Sequence, residues 1–234
     1  MGTWTLHTGE KLVGIHPPLD SSWYWKKLCR MKEIIKTACD STNPWRWLGG
    51  TGFTVKKGYD WMIPSAARVK WDKIIWARLS IPRHSFIMWI FIHHKMPTKT
   101  RLHKICPQIN LKCVFCNNKD EDEYHLFFDC STARSIWTEV REWWPIPPAQ
   151  ATIEGTIQTL LKTKGDMRFK QITYAIFSAV IYAIWAARNE AIFKAHYSTI
   201  QGIFKDIKRQ IIHRVLYLHN LTKKYDAYID RILK

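Results

Sequence analysis

The chain has 234 residues, of which 47% are hydrophobic, which suffices for a packed core in one domain or two small ones. Its formal net charge of +17 favours polyanionic partners, either nucleic acid or an acidic membrane surface. Residues 1–20 contain no continuous apolar run of the kind that a secretory signal peptide needs. We therefore expect a nuclear or cytoplasmic protein that is not secreted.

The positive charge is unevenly distributed along the sequence. Residues 1–110 carry a net +12, residues 111–150 a net −3 and residues 151–234 a net +8. If the chain binds nucleic acid, the basic flanks are expected to make most of the phosphate contacts. The acidic middle segment would then have a structural role and would not contact the nucleic acid directly.

The N-terminal part is predicted to hold one helix followed by a β-hairpin. After residue 20, apolar residues recur at helical spacing up to residue 38, and Asn43-Pro44 ends the pattern. Residues 45–47 and 53–55 are predicted as short strands, joined by a turn that contains Gly49, Gly50 and Gly52. This turn lacks the Gly-Lys-Ser/Thr of a phosphate-binding loop, so a hairpin is the better interpretation.

Helical periodicity dominates from residue 69 onward. Short helices are predicted near residues 69–76, 85–95 and 98–105, and another after Cys130 that ends at Trp144-Pro145. The segment Pro145-Ile146-Pro147-Pro148 is predicted to be a stiff linker. Three helices are predicted after it, at about 151–163, 167–195 and 199–232.

Two of the predicted C-terminal helices bear on which partners the protein has. Residues 172–187 are apolar but short of the ~20 residues that a comfortable membrane span needs, and they include polar side chains, so we predict a buried helix and consider a membrane partner unlikely. The last helix has an apolar stripe and a face rich in Lys and Arg. A basic amphipathic helix of this length can lie on RNA, DNA, lipid or another helix, and its basic face is equally typical of a solvated face on a packed helix.

The thirteen tryptophans have two interpretations. Rings beside Lys and Arg can stack on unpaired bases, whereas rings at apolar periodic positions belong to a core. Periodicity assigns four to the core: Trp25, Trp71, Trp89 and Trp137. Positions at helix ends or turns predict three exposed rings: Trp23, Trp45 and Trp143.

Cys113, Cys116, His125 and Cys130 form a C-x2-C-x8-H-x4-C pattern. Two cysteines separated by two residues can aim both sulfurs at one point from a tight turn, and the His and Cys can close a tetrahedron from a neighbouring short helix or turn. Three thiolates and one imidazole leave no open coordination position, so the pattern predicts one structural Zn²⁺ rather than a catalytic metal.

The cysteines and the acidic residues also allow other interpretations. His103 or Cys106 could replace His125 as a ligand, although their spacing from Cys113 is less regular. A redox CxxC and a structural disulfide are less consistent with a chain that lacks a secretion signal. Cys29 and Cys39 are predicted to be ordinary buried thiols. The acidic run at residues 120–123 is predicted to be a solvated loop and not a two-metal site.

The order of motifs resembles a known family. The pattern comprises Trp71-x4-Trp76, Ile81-Pro82-Arg83-x2-Phe86-x2-Trp89, Met96-Pro97-Thr98-x3-Leu102, the four Cys/His residues with Glu123 and Leu126-Phe127-Phe128 among them, and Ile136-Trp137. It is similar to the reverse-transcriptase zinc-binding domain of plant non-LTR (LINE-type) retrotransposons, over about residues 53–140. Residues 22–27 and the segment Ile184-Trp185-x2-Arg188-Asn189 resemble flanking parts of such elements.

The sequence lacks the catalytic motifs that a complete retrotransposon protein contains. The sequence contains no Asp-Asp pair for a polymerase palm, and no dispersed carboxylates on an αβ pattern for a ribonuclease H. Arg83 stands where the family usually has Lys, which keeps the charge. We therefore expect a protein that is not an enzyme.

These observations combine into one prediction. The fold class is mostly α: a small zinc-stabilised helical domain with a short N-terminal β-hairpin, followed by a C-terminal helical segment. The expected boundaries are 1–52 for the N-terminal segment, 53–144 for the zinc-binding domain, 145–150 for the linker and 151–234 for the basic C-terminal region. The zinc is expected to fasten residues 113–130 onto helices around Trp89 and Trp137.

The predicted function is binding of RNA or DNA through the basic flanks. The alternative is a recruited protein–protein interaction module with a structural zinc, whose C-terminal amphipathic helix docks on a partner, or a weakly membrane-associated protein with the same zinc. The cations predicted to contact phosphates are Lys26, Lys27, Arg30, Arg83, Lys95, Lys99, Arg101, Lys104, Lys205, Lys208, Arg209 and Arg214.

Overall fold

The structure, a computed structural model, describes Trp23, Lys26, Lys27, Arg30 and residues 69–234. The chain divides into two compact units, Met1–Ala67 and Arg68–Lys234. In the first unit the four described residues are helical. The predicted β-hairpin at residues 45–55 lies outside the described residues.

The described part of the second unit is helical. Its elements are α1 (Asp72–Ile75), α2 (Pro82–Ile92), α3 (Lys99–His103), a π-helical turn (His125–Asp129), α4 (Ser131–Trp143), α5 (Ile153–Leu161), α6 (Met167–Lys194), α7 (Ile200–Thr222) and α8 (Asp226–Leu233). Within residues 69–234 the only β-pairing is an isolated antiparallel bridge between Lys112 and Asp120. The mostly helical prediction is confirmed for this part of the chain.

Helix α6 is the centre of the unit. Asp166 caps its N-terminus by accepting a hydrogen bond from the Phe169 N–H at 2.7 Å. Its 28 residues contact α1, α2, α4 and α7. By length and composition α6 could cross a membrane, but 67% of its most apolar window is buried inside the protein. Burial among the other helices accounts for its apolar character.

Helix α7 uses its apolar stripe to pack inside the protein. Residues Ile203, Ile207, Ile211, Val215 and Leu218 are buried, and α7 contacts α4 and α6. The protein's own helices therefore cover most of the apolar stripe that the sequence shows in this helix.

The prediction of one helix over residues 199–232 is wrong at Lys223. That residue has a φ of 51°, so α7 ends at Thr222 and α8 begins at Asp226. The turn places Tyr225 in the core at 1% exposure, and its hydroxyl donates to Oε1 of Gln171 at 2.8 Å. Burial of a large aromatic ring and this hydrogen bond offset the strain of a left-handed lysine.

Two tryptophan predictions are also wrong. Trp89 was assigned to the core, but it is 36% exposed, and Phe91 is the buried aromatic residue of α2. Trp143 was predicted to be exposed, but it is half-buried and its indole N–H donates to the Ile232 carbonyl at 3.1 Å. Trp137 is buried and Trp23 exposed, as predicted. Trp25 and Trp45 lie outside the described residues.

The proline-rich segment joins parts that share one core. Ile146 is 5% exposed and belongs to the same hydrophobic cluster as residues of α4, α5 and α6. The Trp144 indole N–H donates to the Thr173 hydroxyl of α6 at 3.0 Å. The boundaries drawn from the sequence stay predictions, while residues 69–234 pack as parts of one unit.

Candidate metal centre

A tight turn positions Cys113 and Cys116. The Cys113 N–H donates to the Lys119 carbonyl at 2.9 Å, and the Asn117 N–H donates to the Cys113 carbonyl at 2.8 Å. Asn117 adopts a φ of 51°, a left-handed conformation that Asn tolerates better than most residues. The chain then turns back so that the N–H groups of Asn118 and Lys119 donate to the Cys116 sulfur.

A π-helical turn positions His125 and Cys130. The Cys130 N–H donates to the His125 carbonyl at 2.7 Å, which brings the two residues onto one side of the turn. Cys130 is also the residue before α4, and the backbone N–H groups of Thr132 and Ala133 in the first turn of that helix act to lower the pKa of its thiol. The N-terminus of a helix favours negative charge, so this position stabilises a thiolate.

The four donor atoms converge on one point. The sulfurs of Cys113 and Cys130 are 3.9 Å apart, and the Cys116 sulfur lies 3.3 Å from Nε2 of His125. One ligand atom from each residue lies within 4.8 Å of the others. A tetrahedral zinc with Zn–S bonds of about 2.3 Å has S···S edges of about 3.8 Å and slightly shorter S···N edges. The cluster is therefore compatible with one zinc ion.

The surroundings favour negative charge on the sulfurs. The Cys113 thiol donates a hydrogen bond that lowers the pKa of Cys130 to about 5, against the opposing effect of burial. The same hydrogen bond and burial raise the pKa of Cys113. Burial opposes ionisation of Cys116, but N–H donors from Lys119 and Asn118 outweigh it and lower the pKa of that thiol. A metal cation that displaces the proton between the Cys113 and Cys130 sulfurs would therefore be stabilised by these thiolates.

The alternative ligands are not part of this cluster. Cys106 is exposed, and neither it nor His103 belongs to the group of donors that converge. Cys29 and Cys39 lie outside the described residues. Among the residues that the structure describes, the quartet Cys113, Cys116, His125 and Cys130 is the one with metal-binding geometry.

Asp129 is a functional residue that the sequence interpretation missed. Its Oδ2 lies 3.2 Å from Nδ1 of His125, the ring nitrogen that faces away from the cluster, and also accepts from Nζ of Lys119 at 2.7 Å. Lys119 and His125 hold the pKa of the Asp129 carboxyl below its usual value. A carboxylate behind a ligating His fixes the tautomer and the ring orientation. The sequence feature that could have identified Asp129 is its position as a carboxylate four residues after His125.

Replacing Asp129 by alanine is expected to weaken zinc affinity by about 10- to 100-fold, because Nδ1 of His125 loses its acceptor. Competition with a chromophoric chelator measures the affinity. Asp120→Ala is the matched control, since the Asp120 carboxylate pairs with Lys112 at the surface and Asp120 is not one of the converging donors. Equal zinc affinity of the two variants would contradict this role of Asp129.

The comparisons with known proteins agree with this geometry. Residues 53–137 match the family described as zinc-binding in reverse transcriptase. The matched segment of this zinc-binding domain contains all four converging donors and extends into α4. No curated protein and no solved structure matched the chain. The prediction of a zinc cofactor is confirmed by the match and the donor cluster together.

The zinc-binding domain is fastened to the helices mainly through aromatic residues beside the ligands. Phe127 packs edge-on against Phe91 of α2, with ring centroids 5.0 Å apart. The Trp137 indole N–H donates to the Phe127 carbonyl at 2.8 Å. The zinc-binding segment therefore contacts both helices that the sequence predicted, the one around Trp89 and the one around Trp137, and Phe91 makes the contact from the first of them.

A buried ion pair adds a second attachment and corrects the prediction of a solvated acidic loop. Glu121 is 0% exposed, and its Oε1 accepts from Nη2 and Nε of Arg188 in α6 at 2.6 and 3.0 Å. The guanidinium also lies 4.8 Å from the centroid of the Trp185 ring. Only Asp120 and Asp122 of this run are exposed. Glu121 therefore links the zinc-binding domain to the central helix.

The cations predicted to contact phosphates lie in separate places. Lys26, Lys27 and Arg30 belong to the first unit, where Nζ of Lys27 lies 5.5 Å from the centroid of the exposed Trp23 ring. In the second unit, a group at the end of α2 and along α3 comprises Lys95, Lys99, Arg101 and Lys104. In this group Lys95, Arg101 and Lys104 are exposed and Lys99 is half-buried.

The remaining predicted cations are on or beside α7. Arg83 of α2 donates to Gln210, and Arg214 donates through Nη2 to the carbonyls of Arg78 and Ser80 at 3.2 and 3.5 Å. Arg214 therefore also has a structural role. The other α7 cations are exposed or half-buried: Lys205, Lys208 and Arg209. Phosphate contact by all twelve cations stays a prediction.

Proposed function

We propose that this protein is a non-catalytic, zinc-stabilised nucleic-acid-binding protein derived from a plant LINE-type retrotransposon. Basic flanks would grip the phosphates of RNA or DNA with little base specificity, and the zinc-binding domain would hold those flanks in place. The nuclear or cytoplasmic location expected from the sequence suits this role.

The observation that carries the proposal is the contrast between the zinc-binding domain and its flanks. The donor set of three sulfurs and one imidazole fills a tetrahedron, which leaves no position for an activated water. The segment that contains it is acidic, while residues 1–110 and 151–234 are strongly basic. A zinc with four protein ligands has no free position for catalysis, and its acidic segment lies between two basic flanks. This arrangement suits a protein that binds a polyanion better than a metalloenzyme.

The alternative of a protein-docking C-terminal helix has less support. Its apolar stripe is buried inside the protein, so a partner would have to bind elsewhere. Nuclease treatment followed by a high-salt wash separates the two functions. A partner protein that stays bound through both steps would favour the interaction module.

A salt titration tests the proposal. Affinity for RNA and DNA oligonucleotides, measured by fluorescence anisotropy, is expected to fall steeply as salt rises, because each phosphate contact releases counterions. Six contacts correspond to a loss of about a thousandfold between about 50 and 200 mM salt. Affinity that stays flat over this range would contradict the proposed function.

A further inference from the structure

An open cleft of about 730 Å³ lies where the segment from α1 to Arg78 meets the first turns of α6. Its floor includes the buried Tyr174. We name it the Trp76 cleft after its most exposed aromatic residue. Its walls include Lys70, Lys73, Trp76, Arg78, Met167 and Lys170.

The Trp76 cleft is positively charged. Lys70, Lys73 and Arg78 are exposed and Lys170 is half-buried, and none of the four makes an ion pair with another described residue. Asp72 is the acidic residue among the lining side chains that the structure describes. Four cations against one carboxylate give the cleft an excess of positive charge, which attracts phosphates.

Trp76 gives the cleft a large apolar surface. The residues just before it, Ile74 and Ile75, are fully buried, whereas the Trp76 side chain is 67% exposed. Met167 across the cleft is 66% exposed. An exposed indole beside cations is the combination that stacks on an unpaired base while phosphates bind nearby.

A second basic groove lies beside α7. Arg214 donates to the Arg78 carbonyl at 3.2 Å, which joins the edge of the Trp76 cleft to α7. Beyond this contact lies a groove of about 450 Å³ whose lining includes Arg83, Arg209, Arg214 and Tyr217. Cations therefore line both cavities, one on each side of the contact between Arg214 and Arg78, and a sugar–phosphate backbone that crosses this contact would meet positive charge on both sides.

We propose that the Trp76 cleft binds single-stranded nucleic acid, with one base stacked on Trp76 and the flanking phosphates held by Lys70, Lys73, Arg78 and Lys170. The strand would continue past Arg78 into the groove beside Arg214. This inference rests on the proposed function and gives it a location and a strand type. A duplex keeps its base faces stacked, so it would use the cations without the indole.

The test uses the full zinc-loaded chain and labelled 12-residue oligonucleotides of one mixed sequence, as single-stranded RNA, single-stranded DNA and DNA duplex. Trp76→Ala is compared with Phe193→Ala, which removes an aromatic side chain that is 77% exposed at the end of α6. The double variant Lys73→Gln/Lys170→Gln is compared with Lys112→Gln/Lys194→Gln. Both doubles lose two positive charges, but Lys112 and Lys194 pair with acids outside the cleft.

Trp76→Ala is expected to weaken single-strand binding roughly tenfold and to leave duplex binding unchanged. The Lys73/Lys170 double is expected to lower the slope of log affinity against log salt by about 1.4, since each phosphate contact on a single strand contributes about 0.7. The control variants should match the wild type. Photocrosslinking with 4-thiouridine should label the tryptic peptide 74–78, in which Trp76 is the aromatic residue.

The outcomes separate this inference from the function on which it rests. Salt-dependent binding by the wild type, with both cleft variants equal to their controls, would overturn the cleft and leave the function standing. If only the Lys73→Gln/Lys170→Gln variant loses affinity, and duplex binds as tightly as single strand, base stacking on Trp76 would be overturned. Absence of binding to every oligonucleotide at low salt would overturn both proposals. Preference for RNA or for DNA, with loss in Trp76→Ala, supports the cleft and identifies its ligand.

Discussion

Cys113→Ser is expected to remove the bound zinc and to lower the melting temperature of the second unit by about 10 °C or more. Zinc binding to sites of this type supplies roughly 10–16 kcal/mol in small peptides, which is comparable to the whole stability of a typical domain. Cys113 is fully buried, so the variant also leaves a hydroxyl among the remaining donors. Circular dichroism and differential scanning calorimetry measure the change.

The second expectation from the same variant concerns where unfolding begins. The chain between Leu111 and Cys130 has little regular structure of its own, whereas α6 and α7 pack on each other through a long apolar contact. Hydrogen exchange is therefore expected to accelerate first at residues 111–130 and later in α6.

Cys106→Ser is the matched control for this variant. It makes the same chemical change at an exposed cysteine outside the donor cluster, so zinc content and melting temperature should not change. For the donor variant His125→Ala, the matched control is His103→Ala, which removes an imidazole outside the donor cluster. Equal effects of Cys106→Ser and Cys113→Ser would contradict the assignment of the donors.

Glu121→Gln is expected to cost about 3–5 kcal/mol of unfolding free energy, because it leaves the Arg188 guanidinium buried without a counterion. Both side chains are almost fully buried, at 0% and 4% side-chain exposure. Urea unfolding monitored by tryptophan fluorescence measures the loss. Zinc stoichiometry should stay at one, because Glu121 is not a donor.

A double-mutant cycle distinguishes the buried pair from a general effect of the substitution. Glu121→Gln/Arg188→Met should lose less stability than the two single variants added together, because no unpaired charge stays behind. Asp120→Asn is the control, since its pair with Lys112 is about half exposed on both sides and is expected to contribute less than about 1 kcal/mol. A Glu121→Gln cost as small as that of Asp120→Asn would contradict the role of the buried pair.

Local patterns in the sequence were sufficient for most of the described helices and for the donor set. Apolar periodicity predicted the helices near 167–195 and 151–163 because one side of each repeat enters the core. The cysteine and histidine spacing predicted the metal site because metal geometry restricts spacing strongly. Both kinds of information are contained in short stretches of chain.

The features that were missed depend on distant residues. Glu121 stands in an acidic run, and its partner Arg188 is 67 positions away, so no local pattern marks it as buried. Helix α2 is apolar on several sides, so periodicity could not choose between Trp89 and Phe91 for the core. The break at Lys223 has no Gly or Pro, and it follows from where Tyr225 packs.

X-ray absorption spectroscopy of the purified protein, combined with elemental analysis, tests the zinc centre most directly. We predict one zinc per chain with three sulfur ligands at about 2.3 Å and one nitrogen ligand at about 2.0–2.1 Å. His125→Ala should lose the nitrogen contribution and Cys113→Ser one sulfur, where metal is retained at all. A chain without zinc, or a shell with oxygen ligands or an open position, would contradict a closed structural site built from Cys113, Cys116, His125 and Cys130.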